Sequence, residues 1–187
     1  LYIHIPFCIK KCDYCDFNSG SDLSFVSDYI GALLKEMRSC KSRDYKAKTV
    51  YIGGGTPTVL EPLQLALITE GIHANFNVKP DAEFTVEANP GTLNKDKLKV
   101  LKAQGVNRIS LGLQAYQDRL LRRLGRIHSV KDFEDSFCLL REMGFSNINA
   151  DTMFGLPGQN LRDFEYTLEK LILLSPEHIS CYSLIIE

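Results

Sequence analysis

Residues 1–17 read LYIHIPFCIKKCDYCDF, an apolar strand-like run that breaks at Pro6 into a loop carrying Cys8, Cys12 and Cys15. Spacers of three and two residues suit three thiolates closing around one iron–sulfur cube, and the loop is short enough to wrap it. A [4Fe-4S] cluster is normally held by four thiolates, one per iron. Three cysteines with no evident fourth therefore leave one iron open to a small molecule. Two plainer readings compete. Cys12-x2-Cys15 is also half of a zinc knuckle, but no second ligand pair stands at similar spacing: Cys40, Cys138 and Cys181 are isolated, and His4, His73, His128 and His178 are unpaired. A disulfide framework fits less well, because the six cysteines are unevenly spread and a chain of 187 residues needs no staples. With no secretory segment at the start, a reducing cytoplasm is expected, and Cys40, Cys138 and Cys181 read as structural, small buried hydrophobes.

The pattern of the opening, a strand and then a loop of unusual residues, repeats along the chain. Strand-like runs fall at 1–5, 48–52 (KTVYI), 83–87 (EFTVE), 107–111 (NRISL), 147–151 (NINAD) and 178–184 (HISCYSL). Amphipathic helical stretches lie between them at 23–39, 62–75, 94–104, 130–143 and 161–174. Ser129 and Asn160 are placed to cap helices, Gly105 and Gly144 sit where a helix end tolerates positive φ, and Pro176 closes the last helix. Alternation of this kind argues for a parallel sheet with helices outside it, since parallel neighbours need long crossovers. The special residues all follow or end strands: the cysteine loop after the first, Gly53-Gly54-Gly55-Thr56-Pro57 after the second, Glu87 ending the third, Gln114 after the fourth and Asp151 ending the fifth. In a β/α barrel the carboxyl ends of the strands form the working face, so these segments converge. Whether such a barrel closes with eight strands or stays open with six is left undecided by the pattern.

Composition narrows the classes. At 44% hydrophobic the chain buries one sizeable core, and one domain is expected over 1–187. The longest apolar runs are pieces such as LILL and LIIE, far from a membrane span. Twenty-two basic against 23 acidic residues leave no electrostatic footprint for nucleic acid, and Lys95, Lys97, Lys99 and Lys102 read as a solvated helix face. A start at Leu1 without methionine and a stop at Glu187 right after an apolar run suggest a fragment of something longer.

The segments LYIHIPFCIKKCDYCDF, YIGGGTPT, EANPGTL, RISLGLQAYQD, LGRIHS and DTMFGLPGQ, in that order and end to end, resemble the radical S-adenosylmethionine (SAM) proteins related to oxygen-independent coproporphyrinogen III oxidase. The resemblance implies a partial (β/α)6 barrel, a [4Fe-4S] cluster on Cys8, Cys12 and Cys15, and SAM chelating the open iron. An electron from the cluster then breaks a carbon–sulfur bond of SAM and frees a 5'-deoxyadenosyl radical. The later part of such proteins, which covers the barrel mouth and helps define the substrate, would be missing here. The oxidases characteristically carry a further cysteine two residues after the third. This chain has Phe17 there, within YCDFNS, and so resembles the sister branch of haem chaperones, which hold cluster and SAM and pass haem to acceptor proteins.

Matched to the family position by position, the resemblance implies SAM contacts at Tyr2, Tyr14, Gly54, Gly55, Thr56, Glu87, Gln114, Arg126 and Asp151, some of which serve a second SAM in the oxidases. Chemistry supports several of these beside plainer alternatives. The glycine run lets backbone approach a ligand or simply makes a turn. Glu87 is a partner for a cationic sulfonium and amino group or a solvated strand-end charge. His4 reads as a hydrogen-bonded core histidine rather than a haem ligand, and His128 has no assignable chemistry. As an enzyme the chain would decarboxylate porphyrinogen propionates. As a carrier it would bind haem, with an electron donor serving the cluster. Radical SAM modification of RNA shares the cysteine spacing, but the charge balance and the GGGTP and EANPGT runs argue against it.

Overall fold

A computed structural model describes residues 1–185. Six strands, β1 (Tyr2–Ile5), β2 (Ser42–Gly54), β3 (Phe76–Ala88), β4 (Arg108–Gln114), β5 (Ile148–Phe154) and β6 (His178–Ser183), form one sheet in sequence order. Every pairing is parallel. Among the described residues the sheet is open, with β1 and β6 at its edges, as a partial six-stranded barrel would be. Helices α1 (Val26–Ser39), α2 (Pro62–Asn75), α3 (Lys95–Ala103), α4 (Asp118–Arg123), α5 (Val130–Glu142) and α6 (Leu161–Leu174) lie in the crossovers. Among the described residues no helix is long and apolar enough to cross a membrane.

Successive strand side chains point to opposite faces, and the two faces differ in chemistry. One carries Ile3, Ile5, Val50, Ile52, Phe84, Val86, Ile109, Leu111, Ile148 and Ala150, all buried in one core with apolar residues of α1, α2, α3, α5 and α6. Each such Leu, Ile or Phe contributes about 1.5–3 kcal/mol by leaving water. The opposite parity carries polar groups. In register across the sheet, Glu87, Ser110, Asn149 and His178 form one level, and His4 of β1 pairs with Gly53 of β2. Parallel strands covered on both faces read as continuous apolar runs, so polar alternation in NINAD and TVEA marks a concave face kept for something other than packing.

Caps agree with the reading of the sequence. Ser129 and Asn160 each accept a backbone N–H three residues on, within capping boxes, and Gly105 and Gly144 take φ of 85° and 78°. The last helix ends on Ser175 in the left-handed region, one residue before Pro176. Several boundaries differ, and one helix is added. β2 and β3 begin at Ser42 and Phe76, because their early halves pair with each other across bulges, a pairing obscured by Lys79-Pro80-Asp81. The stretch from 23 opens with a 3-10 turn, Leu23–Phe25, before α1. α4 was not expected. It is short, and its apolar Leu120 and Leu121 join Ala115, Leu124, Met153 and Leu156 in a second small core. Finally, Gly53, Gly54 and Gln114 lie within strand ends, and β5 runs three residues past Asp151, which still stands level with Gly112.

Candidate functional site

The cysteine loop is tied down on both flanks. Gly20 N–H donates to Pro6 O and Cys8 N–H to Gly20 O, both at 2.9 Å, which closes the loop on its own stem. Gly55 N–H donates to Ile5 O at 2.8 Å and Thr56 N–H to Phe7 O at 2.7 Å, binding the stem to the end of β2. At the tip, Asp13 N–H donates to Leu124 O, and Tyr14 packs on the second core. Burial pushes the Tyr14 phenol up to about 12 against the pull of the nearby Arg126 charge. His4 is partly buried and bonded at both ring nitrogens, as expected of it. Its Nε2 lies 2.8 Å from Asn18 O, so that nitrogen donates, and Nδ1 accepts from the Tyr2 hydroxyl at 3.0 Å.

The glycine run is demanded by what surrounds it. A Cβ on Gly55 would lie 2.7 Å from Phe7 O and 3.0 Å from Cys8 Sγ, and on Gly53 2.8 Å from Glu87 Cδ. Gly54, at φ 115°, would strike the His4 ring at 2.5 Å. Its N–H donates to Glu87 Oε2 at 3.0 Å. The amides of Gly54, Gly55 and Thr56 are therefore engaged within the protein, and the missing side chains make room for Glu87, His4 and the cysteine loop. To the two readings of the glycine run the structure adds a packing requirement, set by Glu87, His4 and the cysteine loop.

Cys8 is buried, Cys12 and Cys15 partly so. Burial pushes the Cys15 thiol up; a backbone N–H from Phe17 opposes that, and the neighbouring Cys12 and Cys8 push it further. Two of the sulfurs face side-chain donors. Thr56 Oγ1 lies 3.6 Å from Cys8 Sγ, and Arg126 Nη1 lies 3.5 Å from Cys12 Sγ. Arg126 Nη2 donates to Asn89 Oδ1 at 2.6 Å and Gly112 O at 2.7 Å, while its buried Nε has no partner. Cys12, Thr56, Asn89 and Arg126 line a cleft with Ile9 and Lys10. Among the described residues no three His, Cys, Asp or Glu side chains are gathered tightly enough for a single ion. A cube takes its thiolates on separate irons, so it asks for a wider triangle. The two donors beside the sulfurs and the orphaned guanidinium N–H suit an anionic cluster there.

Beyond the cysteines the concave face continues as a polar network. Glu87 accepts from the Tyr51 hydroxyl at 2.7 Å as well as from Gly54. Burial, then the Glu87 charge, drives the Tyr51 phenol far above its usual range. Asp151 accepts from Asn149 Nδ2 at 2.7 Å and from Ser110 Oγ at 3.2 Å. Burial raises its carboxyl despite these bonds. Gln114 is buried at φ 76°, costly for a residue with a Cβ, beside a register shift at Gly112.

Of the residues named from the sequence, Tyr14, Thr56 and Arg126 border the cysteine loop, while Glu87, Gly54 and Tyr2 lie beside His4 and Tyr51. Gln114 and Asp151 stand on the same face towards β5. Asn89, Tyr51, Ser110 and Asn149 were missed. For Tyr51, Ser110 and Asn149 the signal is the polar parity of the strands, which the sequence already displays, whereas Asn89 lies just past the end of β3 and carries no such signal. Lys97 was misread. It is buried, with Nζ donating to Thr58 O at 2.7 Å and Thr92 O at 3.1 Å, and so pins the loops after β2 and β3 to each other. Cys40, Cys138 and Cys181 are exposed, not core residues.

His128 has a definite structural role. Its Nε2 donates to Leu113 O at 3.2 Å, its Nδ1 is buried without a partner, and burial, helped by the Arg126 charge, pulls its pKa down to about 4. The folded protein thus holds neutral imidazole, and its contribution is lost as pH falls from about 6.5 towards about 4. Of the stability lost between pH 7 and pH 4, about 3 kcal/mol is expected to come from this residue. His128→Gln, which keeps a donor and cannot titrate, should remove that portion in urea unfolding curves at the two pH values.

An open parallel half-barrel with three cysteines after its first strand is radical SAM architecture, and this chain belongs to the radical SAM superfamily, whose model matches residues 2–171. Membership implies a [4Fe-4S] cluster and SAM. The chain is 47% identical over 190 residues to the heme chaperone HemW of Bacillus subtilis (strain 168), and 40% identical over 191 residues to HemW of Escherichia coli (strain K12). Both alignments cover 100% of this chain and 50% of the relative, so the chain spans about half the length of these proteins. Among solved structures, coproporphyrinogen III oxidase HemN from Escherichia coli superposes with a TM-score of 0.89 at 29% identity, over 98% of this chain and 43% of that one.

Proposed function

We propose that residues 1–187 are the radical SAM core of a haem chaperone, with Cys8, Cys12 and Cys15 as the cluster ligands. The observation that carries the chaperone reading is Phe17, where the oxidases carry a cysteine. The identity of 36–47% to several HemW proteins over the whole chain supports it. Phe17 is 66% exposed on the cysteine loop, so it does not owe its place to the core.

When bound, the cluster supplies one electron to cleave SAM. The chain's own residues hold and orient. Glu87, fixed by Tyr51 and Gly54, offers a carboxylate to the cationic end of SAM, and Gly55 and Thr56 form the adjoining shelf. Arg126 carries a charge suited to a carboxylate. Gln114 and Asp151 extend the contact along the concave face, Tyr14 lends its backbone, and Tyr2 its hydroxyl. Haem, acceptor proteins and a one-electron donor complete the set of partners, in a thiol-reducing cytoplasm.

The second reading, oxidative decarboxylation of coproporphyrinogen III, is favoured by the likeness to HemN. The two are separated by optical haem titration beside an anaerobic assay for protoporphyrinogen IX, on the full-length protein. Haem binding without decarboxylated product is the expected result. Robust decarboxylation would replace the chaperone reading with the oxidase.

A further inference from the structure

We propose that Asn89 is a positioning residue that sets the one-electron potential of the cluster by aiming Thr56 and Arg126 at the thiolates of Cys8 and Cys12. The proposal rests on the reading of those cysteines as cluster ligands. One amide serves both donors. Asn89 Nδ2 donates to Thr56 Oγ1 at 2.8 Å, and Asn89 Oδ1 accepts from Arg126 Nη2 at 2.6 Å. The orientation of the amide is fixed by chemistry, since a flipped group would press an NH2 against a guanidinium. Thr56, its oxygen occupied by Asn89, turns its own proton towards Cys8 Sγ at 3.6 Å. Arg126, held through Nη2 by Asn89 and Gly112 O, turns Nη1 towards Cys12 Sγ at 3.5 Å.

The hub is itself held in place. Asn89 O accepts from Thr92 Oγ1 at 2.7 Å and Thr92 N–H at 3.2 Å. The Thr92 hydroxyl meets the Thr58 hydroxyl at 2.6 Å, and buried Lys97 binds the carbonyls of both threonines. The two loops that present Thr56 and Asn89 therefore keep one spacing. Hydrogen bonds and positive charge on cluster sulfurs favour the reduced, more negative state and raise the potential. Losing the aim of both donors lowers it.

The test is an anaerobic redox titration of the reconstituted protein without SAM, followed by paramagnetic resonance, with iron content measured on the same samples. Asn89→Leu should keep about four irons and shift the midpoint to more negative potential. Arg126→Gln should shift it the same way, and adding Asn89→Leu to that variant should move it by less than Asn89→Leu alone, because one route is already gone. Thr56→Val should lower the midpoint and Thr56→Ser should keep it. A wild-type midpoint in fully loaded Asn89→Leu overturns the proposal. If that variant does not load, wild-type midpoints in both Thr56→Val and Arg126→Gln overturn it equally. A wild-type protein that binds no cluster refutes the ligand assignment first, and this proposal with it.

Discussion

Replacing any one of Cys8, Cys12 or Cys15 by alanine will take the anaerobically reconstituted protein from about four irons per chain to almost none, while alanine at Cys40, Cys138 or Cys181 leaves the loading unchanged. The loop offers three thiolates and no fourth, so one fewer leaves two irons of a cube without protein. The loop is also held by backbone bonds at Cys8, Gly20 and Asp13 that do not involve sulfur, so the fold should survive the loss. Cys40, Cys138 and Cys181 are exposed and lie at the end of α1, on α5 and on β6, outside the loop's own segment, which makes them proper controls. Circular dichroism separates loss of cluster from loss of fold. Cluster loss in Cys138→Ala with native dichroism would show a different ligand set.

Gly55→Ala carries the second large effect. The added methyl would stand 2.7 Å from Phe7 O, 2.9 Å from Phe7 N and 3.0 Å from Cys8 Sγ. Two of those atoms are backbone; Phe7 O is held by Thr56 N–H and the nearby Ile5 O by Gly55 N–H, so the stem is not free to yield. The stem of the cysteine loop must lift from β2, at a cost of about 3 kcal/mol, and iron loading should fall with it. Gly31→Ala is the contrast. It lies in α1 with no atom within 4 Å of the new methyl, and should stabilise by about 0.5–1 kcal/mol. Urea midpoints and iron content on the two variants check the prediction; equal stability would deny that the glycine run is a packing requirement.

Much of this arrangement was legible in the residues. Strand order and the outer helices followed from period, since apolar runs such as KTVYI and helix-spaced LLKEMRS differ in repeat. The caps at Ser129 and Asn160 followed from local hydrogen bonding, which needs no tertiary information. What escaped was tertiary. Lys97 belongs by composition to an exposed lysine row, and only the meeting of two loops gives its ammonium two carbonyls. Asn89 sits in the EANPGT run but gains its role from Thr56 and Arg126, 33 and 37 residues away in sequence. The early halves of β2 and β3 pair with each other across bulges, and the Lys79-Pro80-Asp81 run breaks the strand pattern of β3 in the sequence. For the site, the cysteines were plain from spacing, whereas the SAM-facing positions rest on family resemblance, because a glycine or a strand-end acid looks the same in many folds.

The central claim is an open cluster iron that takes SAM. The measurement that tests it most directly is the paramagnetic resonance spectrum of the reduced, fully loaded protein, recorded with and without SAM. SAM should change the spectrum, and Glu87→Ala should weaken that change at unchanged iron content. A spectrum indifferent to SAM in a fully loaded, reduced protein would contradict the account.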